Sequence, residues 1–168
     1  RRLHLEIEPG TFFVANAGAV VAAVIDVVDT GKEGHWFIKT DTGMTEILRP
    51  SLYGSQHPIM VIPRLAEERP TKDYLVVGHC CESGDLLTPE PGNPEGLLAR
   101  TLTEARIGDP IVIDGSGAYC AAMSSKNYNS FPEAPEVLLA RDGTFHLVRR
   151  RQTLDQVLQN ELIPEFLR

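Results

Sequence analysis

The chain has 168 residues, and 42% of them are hydrophobic, which suits one domain with a sizeable core. Its formal net charge of −7 argues against a nucleic-acid-binding surface. No apolar run reaches the roughly 18 residues that a membrane-spanning helix needs, so we expect no membrane partner.

The three cysteines do not form the pattern of a disulfide framework. Cys80 and Cys81 are adjacent, and Cys120 stands alone. Thiols of this kind predict a reducing compartment, the cytoplasm. The chain lacks an initiator methionine and opens on a strand-like segment at residues 3–7, so we expect a piece of a longer polypeptide.

The first half of the chain reads as short strands. Residues 12–28 are rich in Val, Ala, Ile and Phe, which favours strands over helices. Further strands are predicted at 35–40, 59–62 and 74–80. The polar, proline-bounded stretch 63–73 is predicted to be a loop.

The second half of the chain is predicted to contain a connector, another short strand and one β-hairpin. Residues 88–96 contain three prolines and are interpreted as a surface connector, and 111–114 as a strand. The Asp142-Gly143 pair lies between alternating apolar segments at 136–140 and 144–149, a strong hairpin signal.

A terminal helix is predicted from Thr153. Thr153 and Gln156 have the spacing of a capping box. Pro164 should end or bend this helix. Its apolar stripe consists of Leu154, Val157, Leu158 and Leu162. Many short strands with a terminal helix indicate a mainly β fold, an antiparallel barrel or sandwich.

A reactive cluster follows the strand predicted at 74–80. The apolar run gives way to a thiol at Cys81, carboxylates at Glu82 and Asp85, a hydroxyl at Ser83 and a glycine at Gly84. Functional groups are often placed where a rigid strand ends.

The motif Cys81-Glu82-Ser83-Gly84-Asp85 resembles the signature of diaminopimelate decarboxylases. These pyridoxal-phosphate enzymes belong with the ornithine and arginine decarboxylases, and they have an α/β barrel followed by an antiparallel β domain. Other segments of the chain resemble the family in the same order, over nearly its whole length. They are residues 5–10, 14–18, 41–44, 49–54, 117–119, 123–125, 127–130, 135–138 and 149–153.

This resemblance implies a domain organisation. Residues 1–16 would be the end of the α/β barrel that binds pyridoxal phosphate. Residues 17–168 would be a Greek-key-like C-terminal β-barrel with a terminal helix. The implied partners are the missing N-terminal α/β barrel and a second copy of the enzyme, in a homodimer with shared active sites.

The resemblance assigns catalysis to Cys81. Decarboxylation on pyridoxal phosphate leaves a carbanion, and a thiol is a suitable acid to protonate it. Glu82 would meet the distal amino group of the substrate, in the partner subunit's site. Cys80 is interpreted as a packed strand residue.

The resemblance places the remaining contacts on the substrate and the cofactor. Arg49 and Tyr53 would bind the distal carboxylate, because the planar guanidinium fits a carboxylate at two points. Tyr119, in a Gly-Ala-Tyr context, would contact both cofactor and substrate.

The loop Glu8-Pro9-Gly10-Thr11 differs from the family at its fourth position. Glu8 and Gly10 match residues near the cofactor phosphate. Thr11 stands where the family has an arginine that holds the substrate carboxylate. A hydroxyl cannot replace a bidentate cation, and losing such a charge-assisted bond costs about 1.5–3 kcal/mol.

The largest difference from the family is that no lysine of this chain matches the one that binds the cofactor. Pyridoxal phosphate needs a lysine for its Schiff base, yet Lys32, Lys39, Lys72 and Lys126 all look like surface residues. Taken alone, the chain is expected to be inactive. Lys126 also appears as an extra residue in the family's Ser-Ser-Asn-Tyr-Asn segment, where we expect a loop bulge.

The predicted function is the conversion of meso-2,6-diaminopimelate to L-lysine and carbon dioxide by the complete enzyme, the last step of lysine biosynthesis. No metal site is predicted. One alternative is a decarboxylase of ornithine, arginine or carboxynorspermidine. The other is a non-catalytic homologue that regulates a decarboxylase through its dimer face.

Overall fold

A computed structural model describes residues 2–167, so the outermost residues of the two predicted domain ranges, Arg1 and Arg168, lie outside it. The strands are β1 (Val20–Asp29), β2 (Trp36–Thr40), β3 (Ile59–Val61), β4 (Thr71–Val77), β5 (Pro89–Glu90), β6 (Asn93–Leu97), β7 (Arg100–Thr103), β8 (Pro110–Ile113), β9 (Glu136–Leu139) and β10 (Phe145–Arg149). The α-helices are α1 (Thr11–Val14), α2 (Arg49–Tyr53) and α3 (Leu154–Leu158), and the 3₁₀ helices are Ala15–Ala17, Tyr128–Ser130 and Glu165–Leu167.

The first compact unit, which ends at Ser124, is a β-barrel. Its six-stranded sheet has the order β3-β8-β1-β2-β4-β7, and the two edge strands β3 and β7 contact each other, so the sheet nearly closes. The predicted mainly β, barrel-like class is confirmed. One detail differs from an all-antiparallel barrel, because β2 and β4 pair in parallel.

The hydrophobic core fills the interior of the barrel, which the strands enclose. Ile38, Leu75, Val76, Ile111 and Ile113 have no measurable exposure. Alternation in β8 places Ile111 and Ile113 on the inner face, while Val112 between them is half-buried. Burying side chains of this size contributes about 1.5–3 kcal/mol each, which makes the barrel a rigid support for the loops at its ends.

The second compact unit begins at Ser125 and contains the predicted hairpin. Strands β9 and β10 pair in antiparallel fashion, and Gly143 in their turn has a φ of 85°. The extra residue Lys126 lies in a turn and forms an ion pair with Glu133 at 2.8 Å. The backbone at Asn127 is left-handed, with a φ of 58°. The loop bulge at Lys126 stays a prediction.

The terminal helix is shorter than predicted. Thr153 and Gln156 form the predicted capping box. Helix α3 nevertheless ends at Leu158, well before Pro164, so that proline does not terminate it. Leu154, Leu158 and Leu162 are exposed, so the predicted stripe is not buried by the described residues of this chain. Without that burial, little stabilises a longer helix.

Three local predictions are corrected by the structure, and two elements were missed. Residues 12–17 are helical, because the turn at Ala15–Ala17 packs against another loop and this contact overrides their β propensity. Strand β4 begins at Thr71, inside the predicted loop 63–73. Within 88–96, β5 and β6 pair as a small hairpin around Gly92. Strand β7 and helix α2 were not predicted at all.

Among the described residues, no helix has the length and apolar character that crossing a bilayer requires.

Candidate active site

Two loops approach each other so closely that only glycine fits at the contact. The amide of Gly117 donates to the Ala15 carbonyl at 2.9 Å, and Ser116 donates to Gly18 at 2.8 Å. A Cβ on Gly117 would overlap the Val14 carbonyl oxygen, and one on Gly18 would lie 2.8 Å from the Gly117 Cα. This contact joins the end of α1 to the loop that carries Tyr119.

Tyr119 lies over Gly10 as a result. Its backbone is left-handed, with a φ of 55°, which is unusual for an aromatic residue and marks a constrained position. A Cβ added to Gly10 would be 2.6 Å from the Tyr119 hydroxyl, so these two residues are in direct contact. About half of the Tyr119 side chain remains exposed.

Arg49 lies beside both tyrosines predicted for the site. Its guanidinium carbon is 5.3 Å from the ring centroid of Tyr53 and 5.8 Å from that of Tyr119. Arg49 begins α2, where Pro50 occupies the first turn and Gly54, with a φ of 61°, ends the helix. We call Gly10, Arg49, Tyr53 and Tyr119 the Arg49 cluster.

A cavity of about 350 Å³ lies beside this cluster. It is lined by residues that include Thr11, Asn16, Arg49, Gln56 and His57. Thr11 and Arg49 therefore border the same space. At these two positions Thr11 supplies a neutral hydroxyl and Arg49 a cation, whereas the family pattern predicts two cations.

His57 is a buried residue at this cavity that the sequence did not single out. Its Nδ1 lies 3.0 Å from the carbonyl oxygen of Asp114. Since a carbonyl can only accept, Nδ1 is the donor. A lone histidine in a loop gives no signal of such a position, and only the packing reveals it.

Cys81 and Glu82 lie in a different loop, directly after β4. Both side chains are exposed. The Glu82 carboxylate accepts from the Ser83 hydroxyl at 3.3 Å and from the Gly84 amide at 3.1 Å. The carboxylate therefore stabilises its own turn while remaining open to solvent.

The neighbouring thiol, Cys80, has a different environment. Burial, together with the nearby charges of Asp85 and Glu46, raises the pKa of the Cys80 thiol to about 12. Cys80 is therefore protonated at neutral pH and unsuited to cycle a proton. The Cys80 thiol is half-buried, but β4 ends at Val77, so the prediction that Cys80 is a strand residue is wrong.

The sequence-predicted residues thus fall into two groups. Arg49 lies beside Tyr53 and Tyr119, Tyr119 also contacts Gly10, and Thr11 shares a cavity with Arg49. Cys81 and Glu82 form the second group. Glu8 is exposed in the irregular segment before α1. Within residues 2–167 no cluster of His, Cys, Asp and Glu side chains is arranged to hold a metal ion.

Comparison with known proteins places the chain in one family. Residues 11–117 match the model of the pyridoxal-dependent decarboxylase, C-terminal sheet domain. The chain is 44% identical to diaminopimelate decarboxylase of Escherichia coli K12 over 162 residues, covering 95% of this chain and 37% of that protein.

Solved structures of diaminopimelate decarboxylases contain a domain that superposes on this chain. A crystal structure of diaminopimelate decarboxylase superposes with a TM-score of 0.83 at 40% identity, covering 92% of this chain and 36% of that one. The Helicobacter pylori diaminopimelate decarboxylase, complexed with L-lysine, gives a TM-score of 0.75 at 32% identity, covering 92% of this chain and 34% of that one.

The barrel and the matching family model define this chain as a C-terminal sheet domain. The chain belongs to the family of pyridoxal-dependent decarboxylase C-terminal sheet domains. It spans 37% of the length of the Escherichia coli relative.

Proposed function

We propose that this chain is the C-terminal domain of a diaminopimelate decarboxylase, which converts meso-2,6-diaminopimelate to L-lysine and carbon dioxide. The observation that carries this proposal is the Arg49 cluster. It places a cation, two tyrosines and a bare backbone position together on a barrel that is 44% identical to the Escherichia coli enzyme.

The described residues fit one edge of the cofactor pyridoxal phosphate. Tyr119 offers a half-exposed ring, and its hydroxyl lies against Gly10, where a larger side chain would displace it. Glu8 and Gly10 would lie near the phosphate. When bound, the cofactor supplies the electron sink for the electron pair that departing carbon dioxide leaves behind.

The lysine that binds the cofactor covalently would come from an α/β barrel. Lys32, Lys39 and Lys126 are exposed, and Lys126 is paired with Glu133. Lys72 is half-buried over the Trp36 ring. None of these four contributes to the Arg49 cluster.

Two charged side chains would hold the distal end of the substrate. The guanidinium of Arg49 can donate two parallel hydrogen bonds to the distal carboxylate, with the Tyr53 hydroxyl as a third donor. Glu82 would accept from the distal ammonium. Together they distinguish a substrate with both charges from ornithine or arginine, which lack the distal carboxylate.

Cys81 would donate the proton that completes the reaction. Its sulfur–hydrogen bond breaks as the proton passes to the carbon that has lost carbon dioxide, and the thiolate then regains a proton from solvent. Its exposed position in the loop after β4 supports this role.

Thr11 would leave the substrate carboxylate with a weaker partner than the arginine of the family pattern. Its hydroxyl can donate one hydrogen bond but no charge. We therefore propose that Arg49, on the same cavity, dominates the electrostatic attraction for the substrate.

The proposal also includes partners. Leu3, Leu5, Ile7, Phe12 and Phe13 are exposed apolar residues in the segment predicted to be the end of the α/β barrel, and the rest of that barrel would cover them. A homodimer would bring Cys81 and Glu82 of one subunit to the partner's site, in keeping with their separation from the Arg49 cluster into a second loop. We place the enzyme in the cytoplasm, where its three thiols stay reduced.

The test uses the complete polypeptide that contains this chain, loaded with pyridoxal phosphate. Carbon dioxide release is measured from meso-diaminopimelate, ornithine, arginine and carboxynorspermidine. We expect meso-diaminopimelate to be preferred and Cys81→Ser to lower kcat by about 100-fold or more, a usual contribution of a general acid. Cys80→Ser is the matched control and should leave kcat near wild type. Preference for another substrate, or equal effects of the two serines, contradicts the proposal.

A further inference from the structure

Asp85 differs from the other acidic residue of its motif in being buried. It is 3% exposed, whereas Glu82 is exposed. Its Oδ1 accepts from the Met44 amide at 2.7 Å, and its Oδ2 accepts from the Cys80 amide at 2.9 Å. One carboxylate thus holds two backbone segments that are distant in the sequence.

The protein provides space for this carboxylate with two glycines. A Cβ on Gly43 or on Gly78 would overlap the carboxylate oxygens of Asp85. The Asp85 backbone adds two further bonds, since its carbonyl accepts from Gly78 at 2.8 Å and its amide donates to Glu82 at 3.0 Å. The backbone around Asp85 is therefore arranged to bind a buried carboxylate through its amides.

The two segments held by Asp85 lead to the two groups of candidate site residues. Cys80 directly precedes Cys81 and Glu82. Met44 belongs to a turn in which Ile47 donates to Gly43 at 2.8 Å, and this turn leads into α2 with Arg49 at its start.

A second hydrogen bond joins the same two segments. The Thr45 hydroxyl lies 2.5 Å from Oε2 of Glu46, which can only accept, so Thr45 donates to it. Nε2 of His79, 2.8 Å from the same hydroxyl, is then the donor to Thr45. Thr42 also donates to Glu46 at 2.9 Å, which fixes the carboxylate.

We propose that Asp85 is a positioning residue which, helped by the His79–Thr45 hydrogen bond, fixes the Cys81-Glu82 loop against the turn at residues 43–45 of its own barrel, so that the loop reaches the partner's site in one conformation. This rests on the proposed function, because it concerns the delivery of a proton by Cys81. If the Cys81 thiol is displaced by about 1 Å, proton transfer from it slows by up to about 100-fold. Holding the backbone one residue away limits such movement.

Asp85→Asn tests the proposal with nearly unchanged size. The asparagine oxygen can accept from one amide, but its NH₂ group then faces the other N–H and cannot bind it. We expect kcat of the folded complete enzyme to fall by about 10-fold or more with a smaller change in KM.

Product stereochemistry separates positioning from general damage. In D₂O, one deuterium enters the carbon that has lost carbon dioxide, and the wild type should place it in a single configuration. If Asp85→Asn loosens the loop, solvent competes with Cys81, and both configurations appear in the lysine. A loss of folded protein would lower the amount of lysine but not mix its configurations.

Asp109→Asn is the matched control. Asp109 is 2% exposed and likewise accepts from two backbone amides, those of Arg64 at 3.1 Å and Arg106 at 2.8 Å, but it joins other segments. This variant should lower stability and keep a single configuration of deuterium. The same configurational outcome for both aspartates would overturn the proposal.

Thr45→Val decides the matter if Asp85→Asn does not fold. It removes the hydroxyl between His79 and Glu46 and keeps the shape of a 4% exposed side chain. We expect a smaller loss of kcat, about three-fold, again with mixed configurations. Unchanged configuration in Thr45→Val, with Asp85→Asn unfolded or also unchanged, overturns the proposal. If Cys81→Ser itself has no effect on turnover, the proposed function fails instead.

Discussion

Arg49 lies beside the ring of Tyr119, with 5.8 Å between the guanidinium carbon and the ring centroid. The residues are far apart in the sequence, one at the start of α2 and the other in the loop after β8. A guanidinium at this distance attracts an aromatic face and leaves its N–H groups available for a ligand. Tyr53 flanks the same guanidinium at 5.3 Å.

Arg49→Lys should weaken substrate binding more than it slows catalysis. Lysine keeps the charge but loses the planar pair of donors and the stacking on Tyr53 and Tyr119. Because the distal carboxylate is remote from the reacting carbon, we expect KM for meso-diaminopimelate to rise about 10-fold or more, with a smaller change in kcat. Steady-state kinetics of the complete enzyme measure both.

Arg106→Lys is the control for that substitution. Arg106 is exposed and pairs with Glu67 at 3.0 Å, away from the Arg49 cluster. Its replacement should leave KM unchanged. Equal KM values for Arg49→Lys and wild type would contradict the assignment of Arg49 to the substrate.

Gly10→Ala should displace the Tyr119 hydroxyl. The added Cβ would lie 2.6 Å from that oxygen, so the ring must move. We expect weaker binding of pyridoxal phosphate, by about 10-fold, measured by equilibrium dialysis of the complete enzyme. In Tyr119→Phe the hydroxyl is absent, and adding Gly10→Ala should then have much less effect. Full additivity of the two changes would contradict the predicted contact.

Alkylation should distinguish the two adjacent thiols. Burial and the charge of Asp85 raise the pKa of Cys80 to about 12, so almost none of it is thiolate at pH 8. Iodoacetamide at pH 8 should therefore modify Cys81 and spare Cys80 in the folded complete enzyme. Peptide mass spectrometry measures both sites, and the denatured enzyme, in which both cysteines should react, is the control. Faster labelling of Cys80 would contradict the assignment.

Asp109 should make stability depend on acid pH. Burial alone would raise the pKa of its carboxyl, but hydrogen bonds from Arg69 and from the Arg106 and Arg64 amides hold the pKa below its usual range. A lowered pKa adds stability that is fully present above the pKa of the unfolded chain, and this stability is lost as the pH falls through the pKa of the folded protein.

Urea midpoints at pH 7 and pH 3 measure this dependence. We expect Asp109→Asn to lower the midpoint clearly at pH 7 and less at pH 3, where the wild-type carboxyl is closer to protonation. Asp73→Asn, at an exposed residue of β4, is the control and should shift neither midpoint. An equal effect of Asp109→Asn at both pH values would contradict this role.

The sequence predicted those elements whose signals are local. The Asp142-Gly143 hairpin needs only a turn with positive φ between alternating segments, and the Thr153–Gln156 capping box needs only its own turn. Residues 12–17 were predicted wrongly as strand, because their helical turns depend on the contact with Gly117. Strand β7 was missed because its pairing with β4 is a tertiary interaction.

By itself, the sequence determined the chemistry that the chain can offer: the thiol of Cys81, the carboxylate of Glu82, the cation of Arg49 and the rings of Tyr53 and Tyr119. Only the tertiary structure decided which of them meet. It joined Arg49, Tyr53, Tyr119 and Gly10, placed His57 at their cavity, and buried Asp85 between two backbone segments. The physical reason is that side-chain chemistry is fixed residue by residue, whereas proximity follows from the pairing of strands far apart in the chain.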